Sequence, residues 1–267
     1  YTADLQLKQG TVDHDDLPFS LADVTARLIC TPTSIEIRRM VGRHGETAID
    51  VNGMIDITPR RDEHLYDLTL NLANAEINDD LLDCLPEAAR RRIAAMKPEG
   101  NLDLHITLDT TDRTGPTAYH VGIKCLGNSL TVPEFPYPLQ DARGTIVVLP
   151  DKITIESISA VPGPAVGIVS QDSAVRLSGE ITLADGAMDT ATLDIKADDI
   201  FFESQLARAM PGGLRVLYDR LLPSGRFGLN LSEVRITQFA DGTRDVAFDG
   251  KVRLEKCLFR ITGARTE

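Results

Sequence analysis

Few residues of this 267-residue chain could do bond-making chemistry, and their spacing argues against it. Histidines stand at 14, 44, 64, 105 and 120, and the chain has no HExxH, no GxSxG, no P-loop and no GxGxxG after a strand. His14-Asp15-Asp16 offers ligand types for a divalent ion, but beside Pro18 it reads as a solvated turn. Asp103-Leu104-His105 puts a carboxylate and an imidazole on one face of a strand. That face is the polar one, so a surface pair is the expectation rather than a catalytic dyad. Cys30, Cys84, Cys125 and Cys257 are 54, 41 and 132 positions apart, which fits neither a zinc site nor a CxxC redox pair. Two readings of them stay open: ordinary buried thiols, or one disulfide whose pairing the sequence does not give. Arg90-Arg91-Arg92 is the one compact basic cluster, either a solvated helix face or a headgroup or partner contact. Asn230-Leu231-Ser232 has the form of a glycosylation sequon inside an expected strand. The expectation is a protein without catalytic residues, metal or cofactor.

Composition narrows the class further. With 28 Lys+Arg against 40 Asp+Glu, the net charge is -12, which repels the phosphates of nucleic acids and of anionic lipid heads. Apolar residues make up 42% and aromatic residues 5%, a globular composition. No apolar run approaches the roughly 20 residues of a membrane helix, and no signal peptide opens the chain. Starting at Tyr1 and ending on Arg265-Thr266-Glu267, the chain reads as a piece of a longer protein.

The elements expected to carry these residues are strands that alternate at period 2, each buried on one face only. From Thr47 to Thr58, Ile49, Val51, Gly53, Ile55 and Ile57 share a face while Asp50, Asn52 and Asp56 take the other. Leu68, Leu70 and Leu72 continue the apolar face, followed by Leu102, Leu104, Ile106 and Leu108, then Tyr119, Val121, Ile123 and Cys125. Later come Val175, Leu177, Ile181 and Leu183, then Leu193 and Ile195, then Phe227, Leu229 and Leu231, then Val246, Phe248, Val252 and Leu254. Short links rich in Gly, Pro, Asp and Asn make an antiparallel meander the expected topology.

Helix interrupts the pattern twice. Asn78-Asp79-Asp80 supplies an N-cap and an acidic first turn, Leu81, Leu82, Leu85, Ala89, Ile93 and Met96 form a stripe, and Lys97-Pro98-Glu99-Gly100 ends it. Pro86 falls where a second segment could begin, so a break is expected there. A second helical stretch, about Phe202 to Leu222, is broken by Pro211-Gly212-Gly213.

These features recur in order. Phe19-Ser-Leu-Ala-Asp23 returns as Tyr137-Pro-Leu-Gln-Asp141 and Ile35-Glu-Ile37 as Ile153-Thr-Ile155, both at an offset of 118. Val51-Asn-Gly-Met-Ile55 returns as Leu177-Ser-Gly-Glu-Ile181, offset 126, and Asn71 to Ile77 as Asp194 to Ile200, offset 123. Leu85-Pro86 and Pro98-Glu-Gly100 answer to Met210-Pro211 and Pro223-Ser-Gly225, offset 125. Two units are expected, residues 1–130 with a helix about 79–96 and residues 131–267 with a helix about 202–222.

Some 14 strands at ~4.8 Å spacing make a ribbon roughly 65 Å wide whose apolar face covers on the order of 1,500 Å². Two helices ~27 Å long shield about a third of it. The roughly 1,000 Å² left over exceeds what soluble monomers expose. The sheet must curl into a sandwich or barrel, or form an open gutter filled by an apolar ligand.

The residues Leu70-Asn-Leu72, Leu85-Pro86, Pro98-Glu-Gly100 and Leu102-Asp-Leu104, with Leu193-Asp-Ile195, Met210-Pro211, Pro223-Ser-Gly225 and Phe227-Gly-Leu229, stand in an order that resembles the AsmA-like family, relatives of TamB and of chorein-type bridge proteins. Phe19-Ser-Leu21 and Tyr137-Pro-Leu139 resemble the opening of such a unit. The resemblance spans about residues 5 to 260. It implies a mainly β fold: a long curved antiparallel sheet of two tandem repeats, a taco-like β-groove, each repeat interrupted by a short broken helix. It also implies a periplasmic protein, anchored in the inner membrane by a segment outside this chain, that conducts phospholipids toward the outer membrane in outer membrane biogenesis. Its partners would be acyl-chain lipid and adjacent repeats of the same longer chain. Under that resemblance the alternating residues from Ile49 to Val252 named above line the groove and touch acyl chains. The alternative is a structural or protein-interaction β-sandwich module of an envelope protein, binding partners by its strand edges.

Overall fold

The computed structural model describes residues 1–13, 20–58, 65–110, 118–133, 135–163, 173–184, 186–210, 212–239 and 243–260. Strands β1 (Ala3–Val12), β2 (Leu21–Cys30), β3 (Ser34–His44), β4 (Thr47–Asp56) and β5 (Leu65–Glu76) precede helices α1 (Asp79–Asp83) and α2 (Glu87–Ala95). Then follow β6 (Asn101–Asp109), β7 (Ala118–Val132), β8 (Phe135–Val148), β9 (Lys152–Pro162), β10 (Ala174–Ala184) and β11 (Ala187–Phe201). Helices α3 (Ser204–Ala209) and α4 (Gly212–Leu221) lead into β12 (Ser224–Gln238) and β13 (Arg244–Leu258).

All strands belong to one 13-stranded antiparallel sheet in chain order, β1 to β13, and the sheet is not closed. The count is one below the sequence expectation of about 14. Tight links make this meander: Thr31 Oγ1 accepts from the Ser34 N–H at 2.9 Å between β2 and β3. Gly45, at φ +56, turns the chain between β3 and β4, a left-handed position that suits glycine.

Along the strands the alternation is interrupted by bulges. Gln9, Asp23, Asn74, Asp141, Asp199, Glu233 and Lys256 all have φ between +48 and +57, and each lies at a register shift. At such a bulge the extra residue loses its ladder partner, and a carboxylate can replace it. The Asn74 N–H donates to Asp103 Oδ1 at 3.0 Å, and the Glu233 N–H donates to Asp194 Oδ1 at 3.1 Å. Past the bulge the apolar face resumes after a step of three, as from Leu72 to Ala75.

Each helical pair replaces a hairpin between neighbouring antiparallel strands, β5 and β6 or β11 and β12, so both pairs stand on the same end of the sheet. Asn78 caps α1, its Oδ1 accepting from the Leu81 N–H at 3.0 Å, and Pro86 opens α2 where the break was expected. Lys97 and Leu222, at φ +48 and +40, end the two pairs in left-handed turns just before Pro98 and Pro223.

The pairs differ in what they bury. Leu81, Leu82, Leu85, Ala89, Ile93 and Met96 are only half-buried, and neither α1 nor α2 has a buried residue. The shielding expected of the first helix is therefore small. In α3, Leu206, Ala207 and Ala209 are buried. Leu206 and Ala209 join Tyr137, Ala197 and Ile200 in one core cluster. A second cluster holds Leu21, Val24, Ala26, Ile37, Ile49 and Val51 from β2, β3 and β4.

Candidate functional site

Residues paired across an antiparallel sheet point to the same face, so the register decides which side chains form a surface. One row runs Ile49, Leu72, Leu104, Ile123, Ile146, Ile155, Gly179, Leu193, Val234, from β4 to β12. The next runs Val51, Leu70, Ile106, Val121, Val148, Ile153, Ile181, Ala191, Ile236, Val246 and reaches β13. A third links Leu102, Cys125, Gly144, Ile158, Leu177, Ile195 and Leu231. Shorter rows join Val175, Ala197, Leu229 and Val252, and Ile200, Phe227 and Leu254. Leu68 lies beside Gly53 and Leu108, and Ile55 beside Ile35 and Tyr66. Phe248, two residues beyond Val246, takes the same side of β13.

The alternating residues from Ile49 to Val252 thus share one face, except that Ile57 lies just past β4, its N–H donating to the Thr33 carbonyl. No polar side chain interrupts the first two rows. Burial on this face is highest near β4 and again at β11 and β12, where Ala191, Ala197, Ile200 and Val234 are buried, and is lost at β13. Ile49 and Val51 are buried, the members in β5 to β12 are mostly half-buried, and Val246, Phe248 and Val252 are 52–60% exposed. A further part of this face escaped the sequence reading. Ile146, Val148 and Ile158 sit in β8 and β9, where the period-2 signal was present, whereas Ile200 and Val234 follow bulges that break it.

The opposite face is polar and carries cross-strand ion pairs. Arg27 reaches Asp4 and Arg39 reaches Asp50, at 2.8 and 2.9 Å; Arg176 reaches Asp198 at 2.8 Å. These exposed pairs contribute little stability each and keep that face wet. An open depression of about 710 Å³ draws most of its lining from here, including Arg39, Asp50, Asn71, His105 and Lys124.

The other candidates stay apart. His14-Asp15-Asp16 lies outside the described residues. Asp103 and His105 serve different partners: Asp103 accepts from the Asn74 N–H, while His105 Nδ1 lies 2.7 Å from Asn71 Oδ1. Arg90 pairs with Asp83 and Glu87, and Arg91 with Glu87, so the basic cluster is partly neutralised within its own helix pair. Asn230 and Ser232 are exposed on β12. All four cysteines are unbridged, Cys84 exposed and the others half-buried, so of the two open readings the disulfide is absent and the thiols are only partly buried. Burial pushes the Cys125 thiol up; at Cys84, whose Sγ turns back onto the Asp80 carbonyl at 3.3 Å, partial desolvation of the sulfur followed by Asp80 and Asp83 does the same.

Among the described residues, no group of three metal-ligating side chains comes together, and no helix is long and apolar enough to cross a membrane. No family model, no curated protein and no solved structure matches the chain.

Proposed function

We propose that the chain is a non-enzymatic module that holds phospholipid acyl chains against the apolar face of its sheet and lets them move from strand to strand. The observation that carries this reading is the pair of uninterrupted apolar rows through Ile49 and Val51, which cross at least nine strands without a polar side chain. Each buried methylene contributes about 0.8 kcal/mol, so about ten of them on such a wall give a gross ~8 kcal/mol before ordering costs. A wall with no deep polar anchor is nearly level from one strand to the next, which sliding requires. The acidic balance of the chain suits headgroups left in water.

On this reading the sheet is a curved β-groove of two six-strand units, β2 to β7 and β8 to β13. Backbone oddities support the repeat. Left-handed Asp23 matches Asp141, 118 positions on; Asn74 and Lys97 match Asp199 and Leu222, both 125 positions on. Gly53 matches Gly179, 126 positions on, both with φ near +140 and a neighbouring carbonyl where a Cβ would stand. In β5 and β11 these matches favour an offset of 125 over the 123 read from sequence words. The AsmA-like resemblance extends the proposal to an envelope protein in the periplasm, held at the inner membrane by a segment outside this chain.

Lipid extraction and native mass spectrometry of the purified protein test the reading. Co-purifying phospholipid, lost in a Leu104→Asp variant that still folds, is the expected result. Absence of any acyl-chain ligand, with wild-type stability unaffected by added lipid, overturns it. A second reading, a protein-interaction module, draws support from β1 and β13. Each has a neighbour on one side only, and an open edge of this kind accepts a strand from a partner.

A further inference from the structure

We propose that α3 is a displaceable lid, and that the strip of apolar face beneath it is a further acyl-chain site, closed until the helix swings away. Leu206 and Ala209 of α3 are buried against Ala197 and Ile200 on β11, with Val175 of β10 and Phe227 and Leu229 of β12 packed around them. These strand residues belong to the short apolar rows that run on to Val252 and Leu254. On β13 both row ends lie open, at 60% and 49% exposure. One strand in from that edge, α3 sits on the rows. What the helix places there is aliphatic carbon, as an acyl chain would. The chain can therefore replace Leu206 and Ala209 without stranding a polar group of the sheet.

The sheet does not need this cover. Counted back 125 positions, Leu72, Leu102 and Leu104 stand where Ala197, Phe227 and Leu229 stand, and the helices at that end, α1 and α2, have no buried residue. The same element thus occurs twice, once seated on the apolar face and once with nothing buried. Nor can α3 hold itself. Six residues make fewer than two turns, well below the length at which a helix is stable alone. Both of its ends are jointed. Glu203 before it and Met210 after it are extended, and Met210 leads into Pro211-Gly212-Gly213, the last with open space where a side chain would stand. Polar contacts latch the helix: the Tyr137 phenol donates to Glu203, and Arg215 Nη1 on α4 donates to the Ala207 carbonyl at 2.9 Å. Helix α4 is tied separately to the end of β13, where the Arg260 N–H donates to the Leu221 carbonyl, so α3 has a fixed point from which to swing.

The lid rests on the acyl-chain reading, and the two fail differently. Hydrogen exchange of the purified chain, read by mass spectrometry with and without nitrobenzoxadiazole-labelled palmitate, tests it. The Ala207 and Met210 amides, which close on the Glu203 and Leu206 carbonyls, report the helix. Freed of its seat, so short a helix frays, so bound probe quickens their exchange about fivefold or more and leaves β4 unchanged. Tyr137→Phe, which removes one latch, speeds probe uptake about threefold or more, and Leu206→Asp, which removes the seat, does the same. Should Leu206→Asp lose the circular dichroism of the sheet, Tyr137→Phe decides alone. Bound probe with the exchange of α3 unchanged or slowed, or uptake indifferent to the variants, makes α3 a fixed cap and overturns the lid while the acyl-chain reading stands. Binding by the variants but not by the wild type supports a lid that stays shut. No binding by any of the three overturns both.

Discussion

The phenol of Tyr137 on β8 donates to Glu203 Oε1 at 2.7 Å, although Glu203 sits at the far side of β9 and β10, just ahead of α3. Helix α3 packs against β8 at the same place, with Leu206 and Ala209 in the cluster around the Tyr137 ring. The second helical pair therefore reaches across the end of two intervening strands, and one buried phenol fixes where it lands. The first pair has a more exposed tie, His44 Nε2 on β3 lying 3.2 Å from Asp80 Oδ2 on α1 across β4, and no buried side chain of its own.

Tyr137→Phe should loosen α3 without unfolding the sheet. Loss of a hydrogen bond to a charged acceptor costs about 2 kcal/mol. Hydrogen exchange should quicken across Ser204–Ala209 and stay slow in β4. The variant should also change the alkaline limb of stability. Burial first, then the hydrogen bond to Glu203, holds the Tyr137 phenol far above its ordinary range. Such a group stabilises the fold fully below its unfolded value near 10, and the contribution fades as pH rises above that toward the folded value. Phenylalanine cannot ionise, so the variant loses less stability above about pH 10, a smaller loss remaining through Tyr218, whose phenol is also raised, chiefly by burial. Denaturant midpoints at neutral and alkaline pH check this.

Gly53 and Gly179 should not tolerate a side chain. At φ +136 and +142, a Cβ would stand 2.1 Å from the Asp67 carbonyl oxygen and 2.2 Å from that of Thr192. Alanine at either position should cost about 2–4 kcal/mol. At Gly45, with φ +56 and open space around it, alanine should cost about 1 kcal/mol. Thermal unfolding of the three variants ranks them.

Val252→Asp separates the ligand from the fold. Val252 is 60% exposed on the apolar face of β13, so the substitution should leave the unfolding free energy within about 1 kcal/mol of wild type. Binding of a fluorescent acyl-chain probe should nevertheless fall severalfold. A carboxylate on that face has to be desolvated wherever an acyl chain lies over it.

Cys125 is a built-in reporter of the same face, since it stands in the row between Leu102 and Gly144. Both thiols are pushed up, so access separates them, and the half-buried Cys125 should react with maleimide more slowly than the exposed Cys84. Loading with an acyl-chain lipid should slow Cys125 further and leave Cys84 unchanged. Site-resolved mass spectrometry over a time course measures both.

Much of the sheet was legible because most of its strands obey period 2 between tight turns. The faces of Ile49, Val51, Leu68, Leu70, Leu72, Leu104 and Ile106 follow from alternation alone. The reading stops at residues such as Asn74, Asp199 and Glu233, where a left-handed bulge adds one residue and shifts the parity. Ala75, Ile200 and Val234 consequently rejoin the apolar face from positions that alternation assigns to the polar one. Helix positions were legible from Asn78, Pro86 and Pro98, but helix burial was not. Leu81, Leu85 and Ile93 make as good a stripe as Leu206 and Ala209, yet the second pair is held by the buried Tyr137 phenol on Glu203 and the first by the more exposed His44–Asp80 contact. The Tyr137–Glu203 contact joins residues 66 positions apart, beyond any local pattern.

The row that starts at Ile49 has one more consequence. Six strands on it reaches Gly179, which the proposed two-unit reading matches to Gly53, four residues further from the helix end than Ile49. Four residues of strand are about 13 Å, against about 29 Å of sheet width crossed. On the proposed reading the apolar rows are therefore oblique tracks: an acyl chain that kept to one row would drift away from the helices with every unit and run off the opposite rim, whereas one that stayed at constant height would have to step from row to row.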